Sequence, residues 1–228
     1  MNSLKESKSL FDSLRSLFLL QIELGGASTR DMAKRFDRNE SDAKKELEEL
    51  VSCGLAYRLE SRPSQTSSSV DSLTEYVLSE EGRKRLKVVV TTGVFDLLHV
   101  GHLATLEASR TLGNVLLVII ARDITVQKRK GRSPINSEKD RQKLVDALKP
   151  VDAAYLGHTS DYLRIIHRIH PDLIALGKDQ NFDISELRRT LDERGLQDVQ
   201  VVRLDLELEG IHSSILIEKL QKSRQNAP

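Results

Sequence analysis

The chain has 228 residues, with 35 Lys and Arg against 34 Asp and Glu, a formal net charge of +1. That length holds one large domain or two smaller ones, and so even a balance gives no global pull toward nucleic acid or an anionic membrane. A single cysteine, Cys53, excludes an intrachain disulfide framework and fits a reducing compartment, while the absence of tryptophan and the scarcity of other aromatics argue against a stacking platform for single strands.

Residues 1–10 are polar and expected to fray. From Leu10 to Leu24, Leu14, Leu17, Phe18 and Ile22 recur at helical spacing, and Gly25-Gly26 ends the helix. The apolar run Leu17 to Leu20 is interrupted by Gln21 and Glu23, so it is neither a spanning helix nor a signal sequence, and a soluble cytoplasmic protein is expected. Ser28 caps a short helix, Thr29 to Phe36, and Asn39 or Ser41 starts a third that carries Ala43, Leu47, Leu50 and Val51 and stops near Gly54. Leu55 to Leu59 alternates like a strand, a serine-rich tip runs from Ser61 to Ser72, and Thr74 to Leu78 is a second strand. Three helices and a hairpin over residues 1–85 read as a winged helix-turn-helix domain. Its third helix would enter a DNA groove, but Lys44 and Lys45 are outweighed there by Asp42, Glu46, Glu48 and Glu49; Arg30, Lys34, Arg35 and Arg38 on the preceding segment only partly restore the balance. A packing, regulatory or homodimerising role is favoured over DNA binding.

Ser79 to Arg85 links this module to the next, and from Leu86 the rhythm changes. Apolar strands at 86–92, 115–121, 152–156, 172–176 and 199–203 alternate with amphipathic helices near 100–112, 137–148, 159–169 and 184–194. That alternation predicts an α/β domain, 86–228, built on a doubly wound parallel sheet that binds ligands at the carboxyl ends of its strands. Neither G-x-G-x-x-G nor G-x-x-x-x-G-K-S/T follows the first strand, which disfavours a dinucleotide redox fold and the phosphate-binding loop of NTPases.

The first strand of this domain leads into the stretch the rest is organised around, VVVTTGVFDLLHVGHL from Val88 to Leu103. Gly93 breaks the strand and lets backbone N–H groups approach an anion. His99 and His102, in an H-x-G-H cluster, fall where a helix begins, and open N–H groups with the positive end of the dipole favour phosphate there. Two histidines with no cysteine nearby are fewer ligands than zinc needs, so no metal site is assigned. Further along the same rim comes the basic run Gln127 to Arg132, either a solvated loop or one in which Lys130 and Arg132 reach outer phosphates, and then Arg141 on the next helix, either a second phosphate ligand or an ordinary exposed helix charge. Asp179 and Gln180 follow the fourth strand and are suited either to a nucleoside or to a simple turn. Ser213 or Ser214 caps the last helix, Ile215 to Leu220, and could hold a phosphate there. His158, His167 and His170 have no partner visible in the sequence and are assigned no role.

Thr92 to His102 resembles the signature of the cytidylyltransferase-like nucleotidylyltransferases, whose H-x-G-H motif binds nucleotide phosphates, and the likeness runs from about Leu86 to Leu220. Within that superfamily, Ala121-Arg122-Asp123 with Thr125-Val126, the loop from Lys130 to Pro134, Ala147 to Asp152, Gly177 to Phe182 and His212-Ser213-Ser214 are most similar to the archaeal FAD synthetases. Head-group cytidylyltransferases carry R-T-x-G-I/V-S-T before the last helix; here the run is Glu207-Leu208-Glu209-Gly210-Ile211-His212-Ser213, without that arginine. The resemblance implies AMP transfer from ATP to FMN. His99 and His102 would hydrogen-bond the reacting phosphates, and Val94, Phe95, Val100 and Gly101 would line the nucleotide. Lys130 and Arg132 would steady the triphosphate with its Mg2+, Asp179 would fix the nucleoside, and Ser213 and Ser214 would sit at the last helix. The alternatives are a CTP-dependent enzyme acting on glycerol phosphate or phosphoethanolamine, and a DNA-binding regulator that senses flavin or nucleotide. An N-terminal winged helix is an addition to the mostly free-standing archaeal enzymes.

Overall fold

Two hydrophobic periods divide the chain, a 3.6-residue repeat in the first third and strand runs alternating with helices afterwards. The computed structural model describes residues 2–60, 74–161, 163–178, 180 and 182–206. Its contacts form two units, Met1–Leu86 and Lys87–Pro228.

The first unit holds α1 (Asn2–Leu24), α2 (Thr29–Arg35), α3 (Glu40–Ser52), the strands β1 (Ala56–Glu60) and β2 (Thr74–Leu78), and α4 (Glu80–Lys84). Leu14, Leu17, Met32, Leu47 and Leu50 are buried, one apolar stripe from each of the three long helical patterns. Ser28 and Asp31 form a reciprocal capping box on α2, and Asn39 caps α3, as their positions before each apolar repeat predict. The two strands pair antiparallel, from Ala56 opposite Leu78 to Glu60 opposite Thr74. Two expectations change. The helix of residues 10–24 begins at Asn2, so its polar first turns are helical rather than frayed. The segment 79–85 is no plain linker: Ser79 accepts the N–H of Gly82 at 2.9 Å and nucleates α4. The serine-rich tip lies outside the described residues.

The second unit runs β3 (Val88–Gly93), α5 (Val100–Thr111), β4 (Val115–Ile120), α6 (Asp123–Lys130), α7 (Glu138–Asp146), β5 (Ala153–Leu156), α8 (Leu163–Ile169), β6 (Leu173–Leu176), α9 (Ile184–Glu193) and β7 (Gln200–Arg203). The five strands form one parallel sheet in the order β5-β4-β3-β6-β7. All six residues of β4 are buried, which is why VLLVII is apolar on both faces of the pleat. The chain winds outward from β3 through β4 to β5, then returns to the other side of β3 for β6 and β7. Strand order therefore reverses beside β3, and the carboxyl ends of β3 and β6 flank the crevice that such sheets reserve for ligands.

The largest correction concerns the expected basic loop 127–132. Residues 123–130 are helical, and the helix stops at Gly131, which takes φ +68° as the left-handed cap. Lys128, Arg129 and Lys130 occupy the last turn, where cations complement the helix dipole. The helix expected at 159–169 starts at Leu163. The segment Gly210 to Ser214 and the last predicted helix lie outside the described residues.

Candidate active site

The turn after β3 has a strained, fully committed geometry. Phe95 sits at φ +52°, a left-handed conformation that costs a non-glycine residue about 1 kcal/mol. Its ring is buried against Gly93, where an added Cβ would come within 2.5 Å of Phe95 Cε2, so the strand must end in glycine. The same ring lies 5.1 Å from the His102 imidazole, tilted by 54°. Asp96 follows, 3% exposed: one carboxylate oxygen accepts the N–H groups of Ile135 (2.7 Å) and Asn136 (3.1 Å), the other accepts from Arg132 at 3.3 Å, and Asn136 donates back to the Asp96 carbonyl at 2.7 Å. Asp96 thus bolts the loop before α7 onto the end of β3. Sequence reasoning passed over it; the signal was an acid three residues past Gly93, inside the stretch that leads to the histidine pair.

His99 is the N-cap of α5 in extended conformation, and its side chain makes no capping bond, so the first-turn N–H groups are not closed off by it. The His99 and His102 rings stack at 3.9 Å with 22° between their planes. Nδ1 of His102 is buried without a hydrogen-bond partner among the described residues, an arrangement native interiors rarely tolerate without a purpose. Burial first, then the neighbouring His99 and the Lys130 ammonium, push the His102 pKa down to about 4. At neutral pH His102 is an uncharged imidazole waiting for a polar partner. The same coupling shows that Lys130, at the end of α6, lies within electrostatic reach of His102.

The other expected residues fall as follows. Val94 lies in the turn after β3, and its carbonyl accepts a hydrogen bond from Arg141; Val100 is 62% exposed on the first turn of α5, and Gly101 is buried beneath it. Arg132 is held near the turn by Asp96 rather than extended into solvent. Arg141, weighed as a phosphate ligand or an ordinary surface charge, is neither: its side chain is wholly buried among backbone carbonyls. Gln180 obeys the simpler of its two readings, closing the turn on Gly177 N (3.3 Å) and donating to the Thr92 carbonyl. Arg203 pins the same turn through the carbonyls of Gln180 (2.8 Å) and Phe182 (2.6 Å), and Arg129 of α6 lies 5.5 Å over the Phe182 ring. His158, assigned nothing, has partners after all: its Nδ1 accepts the N–H groups of Ser160 and Asp161, a local turn. Asp179, Ser213 and Ser214 lie outside the described residues.

The arrangement gathers two imidazoles, an ammonium, an open helix terminus and a strained glycine turn at the switch point of a parallel sheet, which suits a polyphosphate. A family model described as cytidylyltransferase-like matches residues 90–219. The chain belongs to the cytidylyltransferase-like family. Two archaeal relatives are each named FAD synthase: one from Methanothermobacter marburgensis is 51% identical over 118 residues, spanning 50% of this chain and 73% of the relative, and one from Thermoplasma acidophilum is 44% identical over 131 residues, spanning 58% and 91%. A solved structure described as a lipopolysaccharide core biosynthesis protein from Thermoplasma volcanium is 41% identical, covers 53% of this chain and 97% of its own, and superposes with a TM-score of 0.50. In this member of the family, no cluster of three or more His, Cys, Asp or Glu among the described residues could hold a metal ion. Among the same residues, no helix is long and apolar enough to cross a membrane.

Proposed function

We propose that the second unit is an FMN adenylyltransferase that makes FAD and pyrophosphate from ATP and FMN. The observation that carries the chemistry is the stacked histidine pair at the mouth of α5, in which His102 is uncharged at neutral pH and its Nδ1 is unsatisfied. The identity of the acceptor is supported by relatives named FAD synthase at 44–53% identity. A phosphate oxygen of FMN attacks the α-phosphorus of ATP, the bond from that phosphorus to the bridging oxygen breaks, and pyrophosphate leaves with the electron pair. The nucleophile is already an anion, so no protein base is required. The protein aligns the two phosphates and offsets the charge that develops on the α-phosphate and leaving group. His99 and His102 donate to phosphate oxygens, and the pKa of His102 rises as the anion replaces empty low-dielectric surroundings. Lys130 and Arg132 hold the outer phosphates, and the first turn of α5 from Val100 and Gly101 receives the nucleotide. The divalent cation, Mg2+ in this reading, enters with the substrate phosphates, which suits a hard ion that keeps oxygen ligands and needs no protein cage.

Residues 1–86 we read as a winged helix-turn-helix, on the order of its three helices and antiparallel hairpin. Its cations argue for a packing or regulatory role over DNA binding. Arg30 pairs with Glu40 (3.6 Å), Arg35 with Glu23 (3.7 Å), Arg38 with Glu46 and Lys45 with Asp42 (3.7 Å), so few remain to meet phosphates. Mass spectrometry of products from the full chain with FMN, ATP and Mg2+ tests the reading. FAD should form, and neither CTP with FMN nor CTP with glycerol phosphate should give a comparable yield. Formation of CDP-glycerol instead would replace FMN with the head-group alternative.

A further inference from the structure

Arg141 has an environment that packing alone does not explain. The guanidinium is fully buried, yet its one carboxylate partner, Asp123 at 2.7 Å, is 42% exposed. Its other hydrogen bonds go to three main-chain carbonyls: Val94 just past β3, Ala121 just past β4 (2.7 Å), and Asn136 just before α7 (3.1 Å). A well-packed apolar side chain in place of a buried ion pair is often as stable or more so, so a lone buried arginine invites a reason other than stability.

The peptide plane supplies that reason. In a trans peptide the C=O and the following N–H point in opposite directions. Arg141 holds the Val94 carbonyl toward itself and thereby turns the Phe95 N–H away from the interior. That N–H donates to no described residue, and Phe95 is held at φ +52° by a ring locked between Gly93 and His102. The carbonyl of Asn136 brings the loop carrying Arg132 into the same fork, and Asp96 closes it from the other side.

We propose that Arg141 is a positioning residue for nucleotide transfer: by gripping the Val94 carbonyl it aims the Phe95 N–H at a phosphate oxygen of the bound nucleotide. It touches no substrate itself. The inference rests on the nucleotide reading above but not on FMN as acceptor.

The test uses full-length protein labelled with 15N-phenylalanine, which gives five amide signals, the Phe95 signal being assigned by its loss in Phe95→Leu. Adding ATP and Mg2+ should move the Phe95 amide proton downfield in the parent protein. In Arg141→Lys, which keeps the charge but loses the fork, that displacement should fall by at least half; in Arg141→Met it should vanish. FAD formation should drop on the order of 10²-fold in Arg141→Met, the scale of one lost preorganised donor, and recover only partly with lysine. An unmoved Phe95 signal in the parent protein saturated with ATP overturns the proposal. So does an equal displacement in Arg141→Lys, whose folded spectrum keeps the test decisive if Arg141→Met does not fold. A parent protein that binds ATP, shows the shift and makes no FAD would remove the acceptor assignment and leave Arg141 in its role.

Discussion

The two units spend their polar side chains in opposite ways. In the first, partners meet: Tyr76 is buried and donates to Glu48 at 2.6 Å, Glu48 also binds Arg58, Arg38 holds Glu46, and the Ser13 hydroxyl lies 3.1 Å from both the Ser9 carbonyl and the Glu46 carboxylate. Even in its open polar hollow of about 580 Å3, Glu46 pairs with Arg38 and Asp12 with Arg15. In the second unit the sheet is as fully packed, but one buried imidazole nitrogen is left unsatisfied beside a backbone turn held in a costly conformation. Saturated polar groups mark a scaffold; an orphaned imidazole nitrogen beside a strained turn marks where a ligand is to complete the structure.

The sharpest way to break that contrast is to remove the orphan. His102→Ala should lower turnover by 10²–10³-fold or more, as expected for a preorganised donor to transition-state charge, with the circular dichroism of the folded state unchanged. Near-normal FAD synthesis by that variant would make the histidine ordinary packing. Lys130→Met should cost less, about tenfold to a hundredfold in kcat/KM for ATP, the scale of one charge-assisted hydrogen bond. Its effect should appear in the ATP dependence before the FMN dependence.

The contrast also has a pH signature. The pKa of His102 is about 4 when folded and near 6.5 when unfolded. Between those values the unfolded chain binds the proton that the folded chain refuses, so stability falls as pH drops from about 6.5 to 4 and levels off below. His102→Gln should flatten this part of the profile, read as the melting temperature of the second unit against pH. Saturating ATP should restore protonation in the same window, so binding there should take up protons, visible as a buffer-dependent heat in calorimetry.

Much of this was legible in the chain. Every strand of the sheet was placed within two residues, because five apolar runs separated by amphipathic helices leave few alternatives, and H-x-G-H after a glycine turn marked the site. What escaped were contacts that depend on tertiary placement. Arg141 reads as a helix-surface charge by periodicity, and only the neighbouring ends of β3 and β4 turn it inward. Asp96 reads as part of a motif, and only the distant loop at Ile135 shows what its carboxylate holds. The basic run 127–130 looked like a loop because cations lower local helix propensity little but obscure the apolar period; of the two apolar residues in this helix, only Val126 is buried, so no apolar stripe marks it.

The smallest expected effect probes the other half of the comparison. Tyr76→Phe removes a hydroxyl that donates to a carboxylate, worth about 1–2 kcal/mol in the stability of the first unit, while Arg58 still satisfies Glu48. Burial and the Glu48 carboxylate push the tyrosine up to about 12, whereas the hydrogen bond from Tyr76, more than Arg58, holds Glu48 below the usual carboxylate range. The signs are therefore opposite at the two ends of the scale. The unfolded chain loses the phenolic proton first as pH rises from 10 toward 12, and gains the carboxyl proton first as pH falls through the carboxylate range, so the unit should weaken in both directions. Tyr76→Phe should abolish the alkaline decline and reduce the acidic one in denaturant titrations, with FAD synthesis unchanged. A change in transfer rate from this substitution would mean that the first unit is more than a scaffold, and the contrast between a saturated module and an unsaturated site would have to be redrawn around a regulatory coupling between them.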